Sequence, residues 1–191
     1  MLETIESVRD HGVLVPALVR EKPTGGYEMI SGHRRKMACE LAGRDKIPCI
    51  VRNLTDDEAI VVMVDSNLQR EKILPSEKAF AYKMKLEAMK RQGQRTDLTS
   101  SPLDNKLSGT TSAQQLSQKS GDSQPQIYRF IRLTELIPPV LQMVDDGKIA
   151  FRPAVELSYL SKDQQQSLHD TMECEDCTPS LAQAIKMKEF S

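Results

Sequence analysis

Residues 111–133, TSAQQLSQKSGDSQPQIYRFIRL, carry the pattern that decides the fold of the second half of the chain. Ser117, Gly121 and Ile127 stand at the spacing of a helix-turn-helix. A small residue lets two helices approach, a glycine permits the tight turn, and an aliphatic residue locks the second helix onto the first. The segments starting at Thr111 and Ser123 each fit a capping box, with Gln114 and Gln126 as the returning side chains. On the second helix, Ile127 and Ile131 are expected to face the core. Gln124, Gln126, Tyr128, Arg129 and Arg132 are candidates for its exposed side. Gln and Arg are the side chains that make paired hydrogen bonds to adenine and guanine edges in the major groove. An ordinary helical hairpin with polar outer faces shows the same short pattern.

Upstream, residues 92–110 (QGQRTDLTSSPLDNKLSGT) lose periodicity and gain Gly, Ser, Thr and Pro, the composition of a linker. Downstream, helices are expected around 136–146, 152–160, 163–172 and 179–188. Residues 1–54 instead alternate helix and strand signals. A helix over 2–11 is followed by a β-rich run at 13–20, a Thr24-Gly25-Gly26 turn and a strand at 27–30. Gly32 opens a helix with the stripe Met37, Ala38 and Leu41, and a strand follows at 47–51. Thr55 and Glu58 form a capping box. Pro75 begins a helix with Ala79, Tyr82, Leu86 and Met89 on one face and Lys78, Lys83, Lys85 and Lys90 on the other. The expected organisation is a domain over 1–91, the linker 92–110 and a helical domain over 111–191.

The chain has 191 residues, of which 39% are hydrophobic and 28% charged, too apolar for wholesale disorder and too charged for a membrane protein. Its longest aliphatic run, 60–64, has five residues, and no signal peptide is visible. Four cysteines are too few for a disulfide scaffold, which points to a reduced, cytoplasmic setting. Net charge is −1, yet residues 66–95 hold 8 basic against 3 acidic side chains and residues 105–133 hold 4 against 1. Such local positive fields, rather than the total, attract a polyanion.

Two further motifs carry chemistry. Ser31-Gly32-His33-Arg34-Arg35 follows a strand and starts a helix. Free amides at a helix start favour an anion, and two Arg add forked donors for phosphate oxygens. A glycine helix start with two solvated Arg has the same sequence. Asp65-Ser66-Asn67-Leu68-Gln69-Arg70 ends another helix, where Asn67 suits a hard cation and Arg70 a phosphate. A polar helix end stopped by Asn67 reads the same way. Cys174-x-x-Cys177 has metal-like spacing, but no second pair lies near it. His11, His33 and His169 show no catalytic pairing.

Taken in order, these stretches resemble the ParB family of chromosome and plasmid partition proteins. Gly12 to Arg20 resembles the family's helix-to-strand opening, and Gly32-His33-Arg34-Arg35 its Gly-x-Arg-Arg box. Asn67-Leu68-Gln69-Arg70-Glu71 with Leu74-Pro75 resembles its Asn-x-Gln-Arg box and the helix after it. The helix-turn-helix falls where the family places one. The resemblance implies an α+β, ParB/sulfiredoxin-like N-terminal domain followed by an all-α helix-turn-helix domain. It implies a CTP-controlled clamp on double-stranded DNA, reading a parS-like palindrome, with Mg²⁺ bound alongside the nucleotide. Carried over, Gly32, His33, Arg34 and Arg35 line the nucleotide, Asn67 assists Mg²⁺, and Arg70 contacts phosphate. Ser123, Gln124, Gln126 and Arg129 face DNA, with Thr111 and Ser112 at its backbone. A homodimer, a ParA-type ATPase partner and a nucleoid-associated, cytoplasmic location follow from the same resemblance, with no membrane contact.

The family's second box usually opens with Glu, where this chain has Ser66, which implies weak or absent hydrolysis. Asp65 lies one helical residue away and points about 100° elsewhere. Val15-Pro16 stands where many members have Gln-Pro, and both ends look short of the family's partner-binding tail and C-terminal dimerisation domain. The alternative is a site-specific transcriptional regulator of the same fold with a vestigial nucleotide site. The N-terminal fold also resembles sulfiredoxins and some small-molecule kinases. The attached helix-turn-helix, and the lack of a Cys beside the Gly-Arg-Arg box, argue against an enzyme of that kind.

Overall fold

The computed structural model describes residues 2–70, 72–97 and 112–191, and the chain divides into compact units at 1–67 and 68–191. In the first, α1 (Leu2–His11) precedes β1 (Ala17–Glu21), β2 (Tyr27–Ser31), α2 (His33–Leu41), β3 (Cys49–Val51) and α3 (Asp56–Leu68). Among the described residues the strands form one sheet in the order β2-β1-β3, with β1 antiparallel to β2 and parallel to β3. Ala17 and Val19 alternate into the core, as a half-covered strand requires. Val8 of α1 packs on Ala38 and Cys39 of α2, with Ile5, Val13, Ala42 and Ile47 around them. Arg20 ties the layers together, reaching Glu28 on β2 at 2.6 Å and Asp56 at the start of α3 at 2.7 Å. Thr55 and Glu58 form their capping box, with the Thr55 amide donating to Glu58 at 2.8 Å. The Thr55 amide and then its hydroxyl hold the Glu58 carboxyl below its ordinary pKa.

Strand β1 begins later than the apolar run at 13–20 suggests. Pro16 has no N–H for a ladder, and the Val15 and Pro16 carbonyls accept from the Arg35 guanidinium at 2.5 and 2.7 Å. Strand β3 likewise starts only after Pro48. The expected stripe on α2 is also corrected: Met37 and Leu41 are exposed, and the packed side is Ala38 and Cys39, the side turned toward α1.

The second unit holds α4 (Pro75–Asp97), α5 (Ser112–Ser120), α6 (Gln124–Arg132), a 3-10 turn (Leu133–Glu135), α7 (Pro138–Asp145), α8 (Phe151–Leu157), α9 (Lys162–Glu175) and α10 (Leu181–Glu189). One cluster joins Ala79 of α4 to Leu133, Val140, Ile149, Leu157, Met172 and Ala184, and a second joins Tyr82, Leu116 and Ile127. Phe130 bridges them, 4.6 Å from the Phe151 ring and 5.9 Å from Tyr82. Buried Gln165 is satisfied, accepting from the Ile137 amide at 2.8 Å and donating to the Leu160 and Glu135 carbonyls. Helices α9 and α10 each start with a complete capping box, Ser161 with Gln164 and Ser180 with Gln183.

Helix α4 departs from expectation in three ways. It continues to Asp97, through the first residues of the expected linker, where no Pro stands and the isolated Gly93 costs only about 1 kcal/mol. Residues 98–110 lie outside the described part. Its apolar face packs on α5, α6 and α7, so the chain divides at residue 67 and not at 91. Being covered from several directions, α4 also buries Lys85, a residue expected on its solvent face.

Candidate functional site

The N-terminal site is built where β2 runs into α2. Gly32 is the residue before the helix, at φ 112°. A Cβ there would lie 2.8 Å from the Ala17 Cβ and 3.1 Å from its Cα, so only glycine lets α2 start this close to β1. No side chain caps the helix, which leaves the amides of its first turn open to an anion. His33 and Arg34 in that turn are exposed, whereas Arg35 is half-buried and holds Val15 and Pro16. The second box comes to the same place: the Ser31 and Ser66 hydroxyls hydrogen-bond at 2.7 Å. That bond sets the last turn of α3, with Asn67 next in the chain, beside the β2–α2 junction. Arg70 is exposed and belongs to the second unit.

In the second unit, α5 and α6 form the helix-turn-helix. Leu116 and Ile127 are fully buried between them, Gly121 makes the turn at φ 76°, and Ser117 donates to the Asp122 carbonyl at 2.8 Å. Ser123 caps α6 by accepting from the Gln126 amide. The reciprocal half of that box is absent, because the Gln126 oxygen faces the Arg129 guanidinium at 3.5 Å instead. Tyr128 is exposed, Gln124, Gln126 and Arg129 are half-buried, and Ser112 opens α5 half-buried. Thr111 lies outside the described residues.

Arg132 is removed from the outward-facing set. It donates to the Ser158 hydroxyl at 3.2 Å and carbonyl at 2.8 Å, and lies 4.2 Å over the Tyr159 ring. Lys188 lies over the same ring at 4.1 Å and pairs with Glu156 at 2.8 Å, and that bond holds its ammonium above the ordinary lysine pKa.

Comparison with known proteins follows this geometry closely. The ParB N-terminal domain model matches residues 1–68 and the ParB HTH domain model matches residues 105–179. The chain belongs to the ParB family. Among ParB-family relatives, it is 34% identical over 164 residues to a nucleoid occlusion protein of Listeria monocytogenes serotype 4b (strain CLIP80459), covering 86% of this chain and 51% of that protein. It is 34% identical over 150 residues to the stage 0 sporulation protein J of Bacillus subtilis (strain 168), covering 78% of this chain and 46% of that protein. The chain therefore spans about half the length of these relatives. In fold it is similar to the C-terminally truncated chromosome-partitioning protein ParB of Caulobacter crescentus, solved with the centromeric parS site. The TM-score is 0.58 at 22% identity, covering 100% of this chain and 89% of that one.

Sequence reasoning missed the polar cluster behind the ParB helix-turn-helix. Asp122, in its turn, pairs with Lys78 of α4 at 2.6 Å and accepts from the Tyr82 hydroxyl. The available signal was that Asp122 is the single acidic side chain in residues 105–133. The exposed pair Cys174 and Cys177 gains no companions: among the described residues no group of three or more His, Cys, Asp or Glu is placed to hold a metal. Among them, too, no helix is long and apolar enough to cross a membrane.

Proposed function

We propose that this chain is a partition-type, site-specific DNA-binding protein whose N-terminal unit binds CTP with Mg²⁺, and that nucleotide binding closes two copies around DNA as a clamp. The observation that carries this reading is the Ser31–Ser66 hydrogen bond. It supports a single site made from both N-terminal boxes, on a chain that also presents a helix-turn-helix.

The donor set suits a triphosphate. The open amides at the start of α2 and the exposed Arg34 fork match phosphate oxygens, with His33 beside them. Gly32 keeps α2 close to β1, and Arg35 holds the Val15–Pro16 segment at the rim. Among the described residues no cluster of acidic side chains is placed for a metal, so Mg²⁺ would take most of its ligands from the nucleotide and water, with Asn67 assisting; a phosphate contact by Arg70 rests on the family resemblance alone. Bound nucleotide supplies the negative charge that these donors compensate. Ser66 offers no carboxylate to activate water, so turnover is weak or absent. In the second unit, Gln124, Gln126 and Arg129 read base edges of a parS-like palindrome, while Ser112, Ser123 and Thr111 meet the backbone. The working form is a homodimer on the nucleoid, in the cytoplasm, with a ParA-type ATPase as partner.

One observation favours a second reading, a site-specific transcriptional regulator with a vestigial nucleotide site. One terminal nitrogen of Arg35 already donates to the Val15 and Pro16 carbonyls, which ties that guanidinium to the protein's own backbone. Isothermal titration of the four ribonucleoside triphosphates with Mg²⁺, with and without a parS-like duplex, separates the two. Binding of CTP alone, weakened in Arg34→Ala, is the expected result. Specific DNA binding without any nucleotide binding would establish the regulator.

A further inference from the structure

The turn between α5 and α6 holds a carboxylate that the reading above does not use. Asp122 sits between Gly121, in the left-handed region, and Ser123, the cap of α6. Its carboxylate takes the Lys78 ammonium at 2.6 Å and the Tyr82 hydroxyl, one helical turn apart on α4. Its carbonyl accepts from Ser117 at 2.8 Å, and its amide faces the Ser120 hydroxyl at 3.4 Å. Tyr82 is fully buried, and the Lys78 ammonium lies 4.6 Å over the Phe130 ring, so the clasp is anchored in the core. Farther along α4, Lys83 reaches Thr134 at 3.2 Å and Glu135 at 3.6 Å, just past the other end of α6. Side chains of α4 thus hold the recognition helix near both of its ends.

We propose that Asp122, clasped by Lys78 and Tyr82, is a positioning residue that aims α6 and thereby sets how sharply the protein distinguishes its DNA site from other sequences. This rests on the DNA-binding reading above. A lone carboxylate in a basic segment opposes a polyanion unless a cation neutralises it, and Lys78 does so from behind the reading face. Phosphate contacts tolerate a small re-aiming, because they carry charge without a base pattern. Base-edge contacts do not. A tilt of about 10° at the turn moves the far end of a nine-residue helix by ~2 Å, more than a hydrogen bond tolerates. Loosening the clasp therefore reduces discrimination more than it reduces binding.

The test uses the full chain and two probes. One is the duplex that the wild-type protein enriches from a random-sequence library, and the other is a scrambled duplex of equal length. The readout is the ratio of the two dissociation constants at fixed salt, with thermal melting as a check on folding. Lys78→Asp and Asp122→Lys each lower the ratio by about tenfold, and the Lys78→Asp/Asp122→Lys exchange restores most of it. If Asp122 merely modulated the charge near DNA, the double variant would keep the defect of Asp122→Lys, and that result overturns the proposal. Tyr82→Phe changes no charge and is expected to lower the ratio by a smaller factor, which keeps the test decisive if a charge variant fails to fold. An unchanged ratio in a folded Tyr82→Phe overturns the positioning role alone. Failure of the wild-type chain to enrich any sequence overturns the DNA-binding reading itself.

Discussion

Replacing Gly32 with Ala tests how the N-terminal site is built. Two separate costs follow from the geometry. At φ 112° an L-residue is held in a sparsely populated region, which costs about 1–3 kcal/mol. The new methyl would also lie 2.8 Å from the Ala17 Cβ and 3.1 Å from the Ala17 backbone. Neither is the movable end of a long side chain, so β1 or α2 must shift, and overpacking of this kind costs about 1–3 kcal/mol. Together these approach the whole stability of a small unit, which sits near the low end of about 5–15 kcal/mol. Gly43→Ala is the control: its φ of 72° lies at the edge of the left-handed α region, where an L-residue is less strained than at 112°, and a Cβ there meets nothing within 4 Å, so it bears a smaller backbone cost and no clash.

Urea denaturation of the two variants, with hydrogen exchange at the β1 and α2 amides, measures the difference. Gly32→Ala is expected to lose about 1–3 kcal/mol more than Gly43→Ala, with the excess opening concentrated at β1 and α2. Adding Ala17→Gly removes the methyl that Gly32→Ala strikes, so the double-mutant cycle should show a favourable coupling of about 1 kcal/mol or more. If Gly32→Ala costs no more than Gly43→Ala, or if the cycle shows no coupling, close approach of β1 is not what requires glycine.

Two further predictions concern the helical unit. Arg129→Ala is expected to lower preference for the cognate duplex by about 1–3 kcal/mol, as loss of a base contact does, whereas Arg132→Ala should lower melting temperature and leave the preference nearly intact; paired anisotropy and melting measurements check both. Burial first, and the bond to Asp122 second, raise the Tyr82 pKa above its ordinary value. The phenol of the unfolded chain loses its proton above about pH 10 while the folded one keeps it, so stability falls as pH rises past 10, by up to about 1.4 kcal/mol per unit. Tyr82→Phe should remove that fall in urea titrations run between neutral and alkaline pH.

The parts of the molecule legible in the sequence are those fixed by a local demand on the backbone. Gly32 before a helix, Gly121 in a turn, and Thr55 with Glu58 at a helix start each announce a conformation within a few residues. What could not be read depends on neighbours distant in the chain. Lys85 looks like a solvent residue until α4 is seen to be packed from several sides, and Met37 and Leu41 look like core until α1 is seen to cover only Ala38 and Cys39. Asp122 and Tyr82 stand 40 residues apart, so no local pattern joins them. Arg129 and Arg132 show the limit most directly. They have the same side chain, lie one turn apart on one helix, and are equally suited to guanine by residue type. Ser158 and Tyr159 separate them, because the turn just after α8 offers Arg132 two oxygens and a ring face while the Gln126 oxygen, a turn earlier on α6, faces Arg129 at 3.5 Å. The forked, delocalised cation that reads a base edge well also clasps one helix to another well. Residue type therefore overstates the reading face of a recognition helix, and the excess consists of the arginines already committed to holding that helix in place.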